Sequence, residues 1–137
     1  MVRKERKIKN MKKIKVIVCG VHFGKFYIES CNQNERLELT GILSNGSEES
    51  YELADKNNVP LYTRTEDITK DMADIIVIVT RTLITGGKSD LTVKSLLEKG
   101  ISIIQEQPVH EKEVINICKS IRSDKPVSYT HLRAHET

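Results

Sequence analysis

One stretch of the sequence decides the fold: Val16-Ile17-Val18-Cys19-Gly20-Val21-His22-Phe23-Gly24-Lys25-Phe26-Tyr27. An apolar run ends at Gly20, turns to Gly24 and continues into an amphipathic segment. This order is typical of a buried parallel strand that leads into a helix. The first turn of such a helix has free amide N–H groups at a positive dipole end, so it can bind a phosphate.

The glycine spacing is shorter than the usual dinucleotide-binding fingerprint, G-x-G-x-x-G. Only Gly20-x-x-x-Gly24 is present, and His22 stands near the place of the middle glycine. Two glycines after an apolar run also occur in ordinary strand-to-helix turns. The choice between these interpretations depends on the rest of the chain.

The composition is typical of one globular domain. The chain has 137 residues, of which 38% are hydrophobic and 30% charged, and no apolar run approaches the roughly 20 residues of a membrane helix. Its net charge of +3 is concentrated at the N-terminus, where we interpret residues 1–12 as a solvated basic tail. The tail lacks the interleaved aromatic residues that would indicate a nucleic-acid-binding arm. We therefore expect neither a nucleic-acid nor a membrane partner.

The three cysteines, Cys19, Cys31 and Cys118, have neither metal-ligand spacing nor a C-x-x-C motif. This usage predicts reduced thiols, no metal site and a cytoplasmic protein.

Strand-like and helix-like patterns alternate along residues 13–124. Strands are predicted at 14–19, 37–43, 59–62, 74–80 and 101–105, with helices between them and a last helix at 114–121. Helix signals include a capping box at Thr63-x-x-Glu66, an Asp90 cap, and stops at Asn58 and Gly100. The alternation predicts a parallel, doubly wound α/β sheet of the Rossmann type.

Ligands of such sheets bind beyond the carboxyl ends of the strands. Here the loops at those ends are 20–24, 44–47, 80–89 and 106–110, and this context favours a nucleotide-binding turn at Gly20. An NAD site usually has an Asp or Glu at the end of the second strand. Ser44-Asn45-Gly46-Ser47 stands there instead, which predicts NADP.

A second interpretation is that Ser44 and Ser47 only cap the following helix. No obvious arginine completes a phosphate clamp, and Glu48 and Glu49 oppose one.

Several segments resemble, in chain order, the thiazolinyl imine reductases, relatives of the Gfo/Idh/MocA dehydrogenases. The resemblance covers residues 12–122. Its segments are Val18-Cys19-Gly20-Val21-His22-Phe23-Gly24-Lys25-Phe26-Tyr27, Gly41-Ile42-Leu43-Ser44-Asn45-Gly46-Ser47, Val59-Pro60-Leu61-Tyr62-Thr63, Gly86-Gly87 and Gln105-Glu106-Gln107-Pro108-Val109-His110.

The resemblance implies an NADPH-dependent enzyme of siderophore biosynthesis. Such an enzyme reduces the C=N bond of a thiazoline to a thiazolidine on an intermediate tethered to a nonribosomal peptide synthetase. A homodimer of the full-length protein is left open. The predicted catalytic residues are Gln107 and His110, and the predicted coenzyme contacts are Gly20, His22, Phe23, Gly24, Ser44, Asn45, Gly46, Ser47, Thr80, Arg81 and Glu106.

Two departures from the family pattern bear on this hypothesis. Gln107 replaces the Lys or His of related sequences and cannot act as a general acid near neutral pH, so the proton would come from His110, from another part of the protein or from water. His110 is equally explained as a helix-start residue. The chain is also shorter than family members, and residues 127–137, within a tail at 125–137, resemble a translated sequencing adaptor. We therefore expect a truncated coenzyme domain, inactive by itself, with a disordered tail.

Two alternatives remain open. One is a Gfo/Idh/MocA-type sugar or polyol dehydrogenase fragment, against which the Gln107 substitution counts. The other is a nucleotide-binding module without catalysis. Arg81, which follows the strongest predicted strand, fits either a coenzyme contact or a solvated loop.

Overall fold

The computed structural model describes residues 12–20, 24–79, 89–106 and 128–132. Its elements are strands β1 (Ile14–Cys19), β2 (Leu37–Leu43), β3 (Leu61–Tyr62), β4 (Ile75–Ile78), β5 (Ser102–Glu106) and β6 (Tyr129–Leu132), helices α1 (Gly24–Gln33), α2 (Glu48–Lys56) and α3 (Ser89–Glu98), and a 3-10 turn (Thr65–Asp67).

The strands form one sheet in the order β3-β2-β1-β4-β5-β6, and every neighbouring pair is parallel. This order confirms the predicted doubly wound α/β fold of the Rossmann type. β1 lies at the centre, where Cys19 pairs with Leu43 of β2 and with Ile78 of β4.

Helices cover both faces of the sheet, which explains the nearly continuous apolar sequence of its central strands. On one face, Val18 and Ile42 pack with Ile28 of α1 and Ala54 of α2. On the other face, the buried residues Ile17, Ile76 and Ile103 pack with Leu96 of α3 and with Ile68 beside the 3-10 turn. No described helix is long and apolar enough to cross a membrane.

The helix ends follow the predicted signals at three places. Ser47 is the N-cap of α2, and its side chain accepts from the Ser50 amide. Asn58 follows α2 with a φ of 55°, and Gly100 follows α3 with a φ of 87°. Both conformations end a helix through the left-handed region.

Two predicted caps are wrong. The capping box would need a helix after Thr63, but only the 3-10 turn forms, with Arg64 at its N-cap position and no side-chain cap. Glu66 Oε2 accepts from Arg64 Nε, two residues before it, at 3.3 Å instead of reaching back to Thr63. Asp90 lies inside α3, which begins at Ser89, so it is not the N-cap.

Within the tail at 125–137, for which the sequence predicts disorder, the structure describes a strand, β6, at Tyr129–Leu132. This aromatic and β-branched segment adds to the edge of β5, and the Tyr129 hydroxyl donates to Gln105 Oε1 at 2.6 Å. The predicted tail at 1–12, apart from Lys12, and the predicted helix at 114–121 lie outside the described residues.

Candidate functional site

The carboxyl ends of β1 and β4 form the point at which the chain connections diverge. β1 leads to α1 on one face of the sheet, whereas β4 is followed by α3 on the other face. Between two such strands a doubly wound sheet opens a crevice for ligands. Gly20 is the first residue beyond β1 in this crevice.

Gly20 is held from both sides. Its N–H donates to Leu43 O of β2 at 3.1 Å, and the carbonyl of the preceding Cys19 accepts from Val79 N at 2.8 Å. Its φ of 110° is one that other residues rarely adopt. The chain therefore turns immediately at the end of β1, and the Gly20 amide is already used within the sheet.

Gly24 is the buried first residue of α1. A Cβ atom there would lie 2.8 Å from Val18 Cγ1, closer than real Cβ contacts. A glycine is thus required for α1 to begin against β1. Gly20 corresponds in its role to the first glycine of the fingerprint, which makes the tight turn. Gly24 corresponds to the third glycine, which allows close packing of the helix on the strand.

The loop after β2 stabilises itself through its own side chains. Ser44 Oγ accepts from Gly46 N at 3.1 Å, Asn45 Oδ1 from Ser47 N at 3.2 Å, and Ser47 Oγ from Ser50 N at 3.2 Å. Gly46 has a φ of 84°. The interpretation of Ser47 as a helix cap is thus confirmed, whereas Ser44 stabilises the turn before it.

These bonds use the side-chain oxygens of Ser44, Asn45 and Ser47 as acceptors. Among the described residues, no group accepts from the Ser44 hydroxyl or from Asn45 Nδ2. The loop has no carboxylate at 44–47, although Glu48 and Glu49 follow in the first turn of α2. An anion at this loop would meet polar donors.

Sequence reasoning missed one cation beside this loop. Lys25, the second residue of α1, places its Nζ 3.0 Å from Glu49 Oε1. The only sequence signal is that Lys25 directly follows Gly24. Its pairing depends on α1 and α2 lying side by side, which the sheet order determines.

Two other titratable groups have structural roles. Burial raises the pKa of the Cys31 thiol, which faces the core from α1. Asp74 precedes β4, at the opposite edge of the sheet from the crevice. The Lys15 N–H donates to its carboxylate at 2.9 Å and holds the pKa of Asp74 below its usual value, with a further contribution from Lys70.

Four of the predicted parts of the site lie together at the carboxyl ends of the strands: Gly20, Gly24, the loop 44–47 and Glu106, the last residue of β5. The other predicted site residues lie outside the described part of the chain: His22, Phe23, Thr80, Arg81, Gln107 and His110. Within the described part, no group of three His, Cys, Asp or Glu side chains could hold a metal ion.

Residues 14–131 match a family described as the Gfo/Idh/MocA oxidoreductases, with an NAD-binding Rossmann fold. The chain belongs to this family. No curated protein shows significant similarity to the chain.

Three solved structures illustrate the likeness of the fold. The WlbA dehydrogenase from Bordetella pertussis, in complex with NADH and UDP-GlcNAcA, has a TM-score of 0.75 and 17% identity over 88% of this chain and 37% of its own. The apo scyllo-inositol dehydrogenase from Lactobacillus casei has a TM-score of 0.72 and 17% identity, and the match covers 88% of this chain and 36% of that protein. GenD2 from gentamicin A biosynthesis, in complex with NAD, has a TM-score of 0.72 and 15% identity, and the match covers 89% of this chain and 35% of that protein. The chain therefore spans little more than a third of each.

Proposed function

We propose that this chain is the coenzyme-binding part of an NAD(P)-dependent oxidoreductase. The observation that carries the proposal is the pair of glycines around the turn: Gly20 with its positive φ and Gly24 with no room for a Cβ. Both features belong to a turn that approaches a dinucleotide pyrophosphate. The bound coenzyme would supply hydride transfer.

The sheet suggests how a dinucleotide would lie. The pyrophosphate would bind amides of the turn beyond Gly20, because the Gly20 N–H itself is used by Leu43. The adenosine ribose would lie at the loop 44–47. The nicotinamide would lie toward the ends of β4 and β5, where Thr80, Arg81 and Glu106 are the proposed contacts.

We further propose NADP as the preferred coenzyme. The loop 44–47 has no carboxylate to bind a ribose 2′-hydroxyl, while the Ser44 hydroxyl and the Asn45 amide can donate to a 2′-phosphate. The negative charge of Glu49 is offset by Lys25. NAD in the GenD2 complex and NADH in the WlbA complex are statements about those proteins.

For the reaction we propose reduction of a thiazoline C=N bond on a carrier-tethered siderophore intermediate. The support is the resemblance over residues 12–122, and in this proposal Gln107 and His110 would lie beside the substrate. A second candidate is oxidation of a sugar or polyol, which the names of the inositol and nucleotide-sugar dehydrogenases favour. Synthetase genes beside the reading frame would support the first reaction, and sugar-catabolic genes the second.

Equilibrium titration tests the coenzyme proposal. NADPH and NADH are added to the 137-residue chain while nicotinamide fluorescence is followed. We expect both to bind and NADPH to bind more tightly. Tighter binding of NADH would contradict the NADP preference, and binding of neither would contradict the proposed function.

A further inference from the structure

The ion pair between Lys25 and Glu49 joins the first turns of two helices. Its atoms are 3.0 Å apart, and the two side chains are 53% and 55% exposed. α1 follows the glycine turn and α2 follows the loop 44–47, so the pair lies between these two loops at the carboxyl edge of the sheet.

Helix stability does not account for a lysine at this place. A cation in the first turn of a helix meets the positive end of the helix dipole, and α1 has no acidic residue in that turn to compensate. A half-exposed ion pair also adds little to folding. The arrangement instead places a charged donor where an anion would be bound.

We propose that Lys25 binds the 2′-phosphate of NADP and that Glu49 holds its ammonium group in position while the site is empty. This inference rests on the proposed coenzyme function. The direction of the side chain decides between the coenzyme's phosphates. Glu49 draws the ammonium toward α2, two residues from the N-cap Ser47, rather than toward the glycine turn and the pyrophosphate.

When NADP binds, the Lys25 ammonium group would leave the Glu49 carboxylate and pair with the 2′-phosphate. The same phosphate would accept from the Ser44 hydroxyl and the Asn45 amide. Glu49 would then lie close to the phosphate without its partner, so it weakens binding. Lys25 therefore increases and Glu49 decreases the preference for NADPH over NADH.

The groove between α1 and α2 provides a matched control. It has a volume of about 560 Å³, with Lys25 and Glu49 at one end and Lys56 at the other. Lys56 is the last residue of α2, about 10 Å along the helix from Glu49. Lys56→Met removes the same charge from the same groove far from the loop.

The experiment measures dissociation constants of NADPH and NADH for the 137-residue chain and its variants. Lys25→Met is expected to raise the dissociation constant of NADPH roughly tenfold, because a charged hydrogen bond is lost. The dissociation constant of NADH should not change. Lys25→Arg should keep the NADPH preference, Glu49→Gln should raise it, and Lys56→Met should leave it unchanged. Added salt should weaken NADPH binding more in the wild type than in Lys25→Met.

Arg64→Met tests a second described cation near the loop. Arg64 follows Thr63, whose Cγ2 lies 3.4 Å from the place of a Gly46 Cβ. Loss of NADPH preference in Arg64→Met but not in Lys25→Met would overturn the inference. Equal weakening of both nucleotides by Lys25→Met would also overturn it and assign Lys25 to the pyrophosphate, with the proposed function intact. Binding of neither nucleotide to the wild type would overturn both proposals. Circular dichroism melts verify that each variant is folded.

Discussion

Gly24 shows how one missing side chain defines the candidate site. A Cβ atom at this position would lie 2.8 Å from Val18 Cγ1, too close for any other residue without a shift, so the glycine lets α1 begin directly against β1. Val18 is fully buried and β-branched, so it has little freedom to move away. The helix terminus is thereby fixed beside the end of β1.

Gly24→Ala should weaken NADPH binding roughly tenfold or more, because the added methyl group displaces the start of α1 from the crevice. Fluorescence titration measures the effect. Gly100→Ala is the control, since Gly100 is also constrained, with a φ of 87°, but lies at the opposite edge of the sheet. Equal affinities in Gly24→Ala and the wild type would contradict this role.

Asp74 makes the fold sensitive to acid. The Lys15 N–H lowers the pKa of its carboxyl below the ordinary value of 3.8. The folded state therefore binds this proton less tightly than the unfolded state. The resulting stabilisation is present above the unfolded pKa and is lost as the pH falls through the folded pKa.

Asp74→Asn should accordingly be less stable than the wild type at neutral pH, and the difference should shrink as the pH falls below about 4. Urea denaturation across this range measures it. Asp71→Asn is the control, because Asp71 contributes its backbone carbonyl, not its side chain, to Lys15. A difference that stays constant with pH would contradict the assignment.

At the scale of elements, the sequence predicts helix ends that depend on neighbouring residues, but not contacts between residues of different elements. Ser47 and Asn58 act through neighbouring residues, and the sequence predicts both. The capping box at Thr63 is wrong: only a 3-10 turn forms there, and Glu66 pairs with Arg64 instead. The Lys25–Glu49 pair could not be predicted because it joins residues of different helices, whose positions depend on the sheet order.

β6 is the element that sequence reasoning did not predict. The segment Tyr129–Leu132 has strand-forming residue types, but it is only four residues long and its strand depends on pairing with the edge of β5. The link is visible in Gln105, a polar side chain only 2% exposed, whose Oε1 accepts from the Tyr129 hydroxyl.

Tyr129→Phe should destabilise the chain by about 1–3 kcal/mol, because it removes the donor from a buried acceptor. Chemical denaturation measures the loss. Tyr51→Phe, at a side chain that is 54% exposed, should have little effect. If Tyr129→Phe were equally neutral, the docking of β6 on β5 would be contradicted, and a disordered tail would be favoured.

At the scale of the whole molecule, the sequence pattern predicts the parallel sheet and its ligand-binding edge. β1 lies between β2 and β4, and the two glycines stand where the connections diverge. The opposite edge, with Asp74, Lys15 and Lys70, is held together by structural hydrogen bonds. Our proposal places ligand binding at the first of these edges, whereas the described hydrogen bonds of the second are structural.

The most direct test is to add NADPH to the 137-residue chain and follow the NMR chemical shifts of its backbone amides. We expect the largest shifts at Gly24 and in the loop 44–47, with little change at Lys70 and Asp74. Shifts concentrated at the Asp74 edge, or in the outer groove near Lys56, would contradict the proposal that the bend from Gly20 to Gly24 binds the coenzyme.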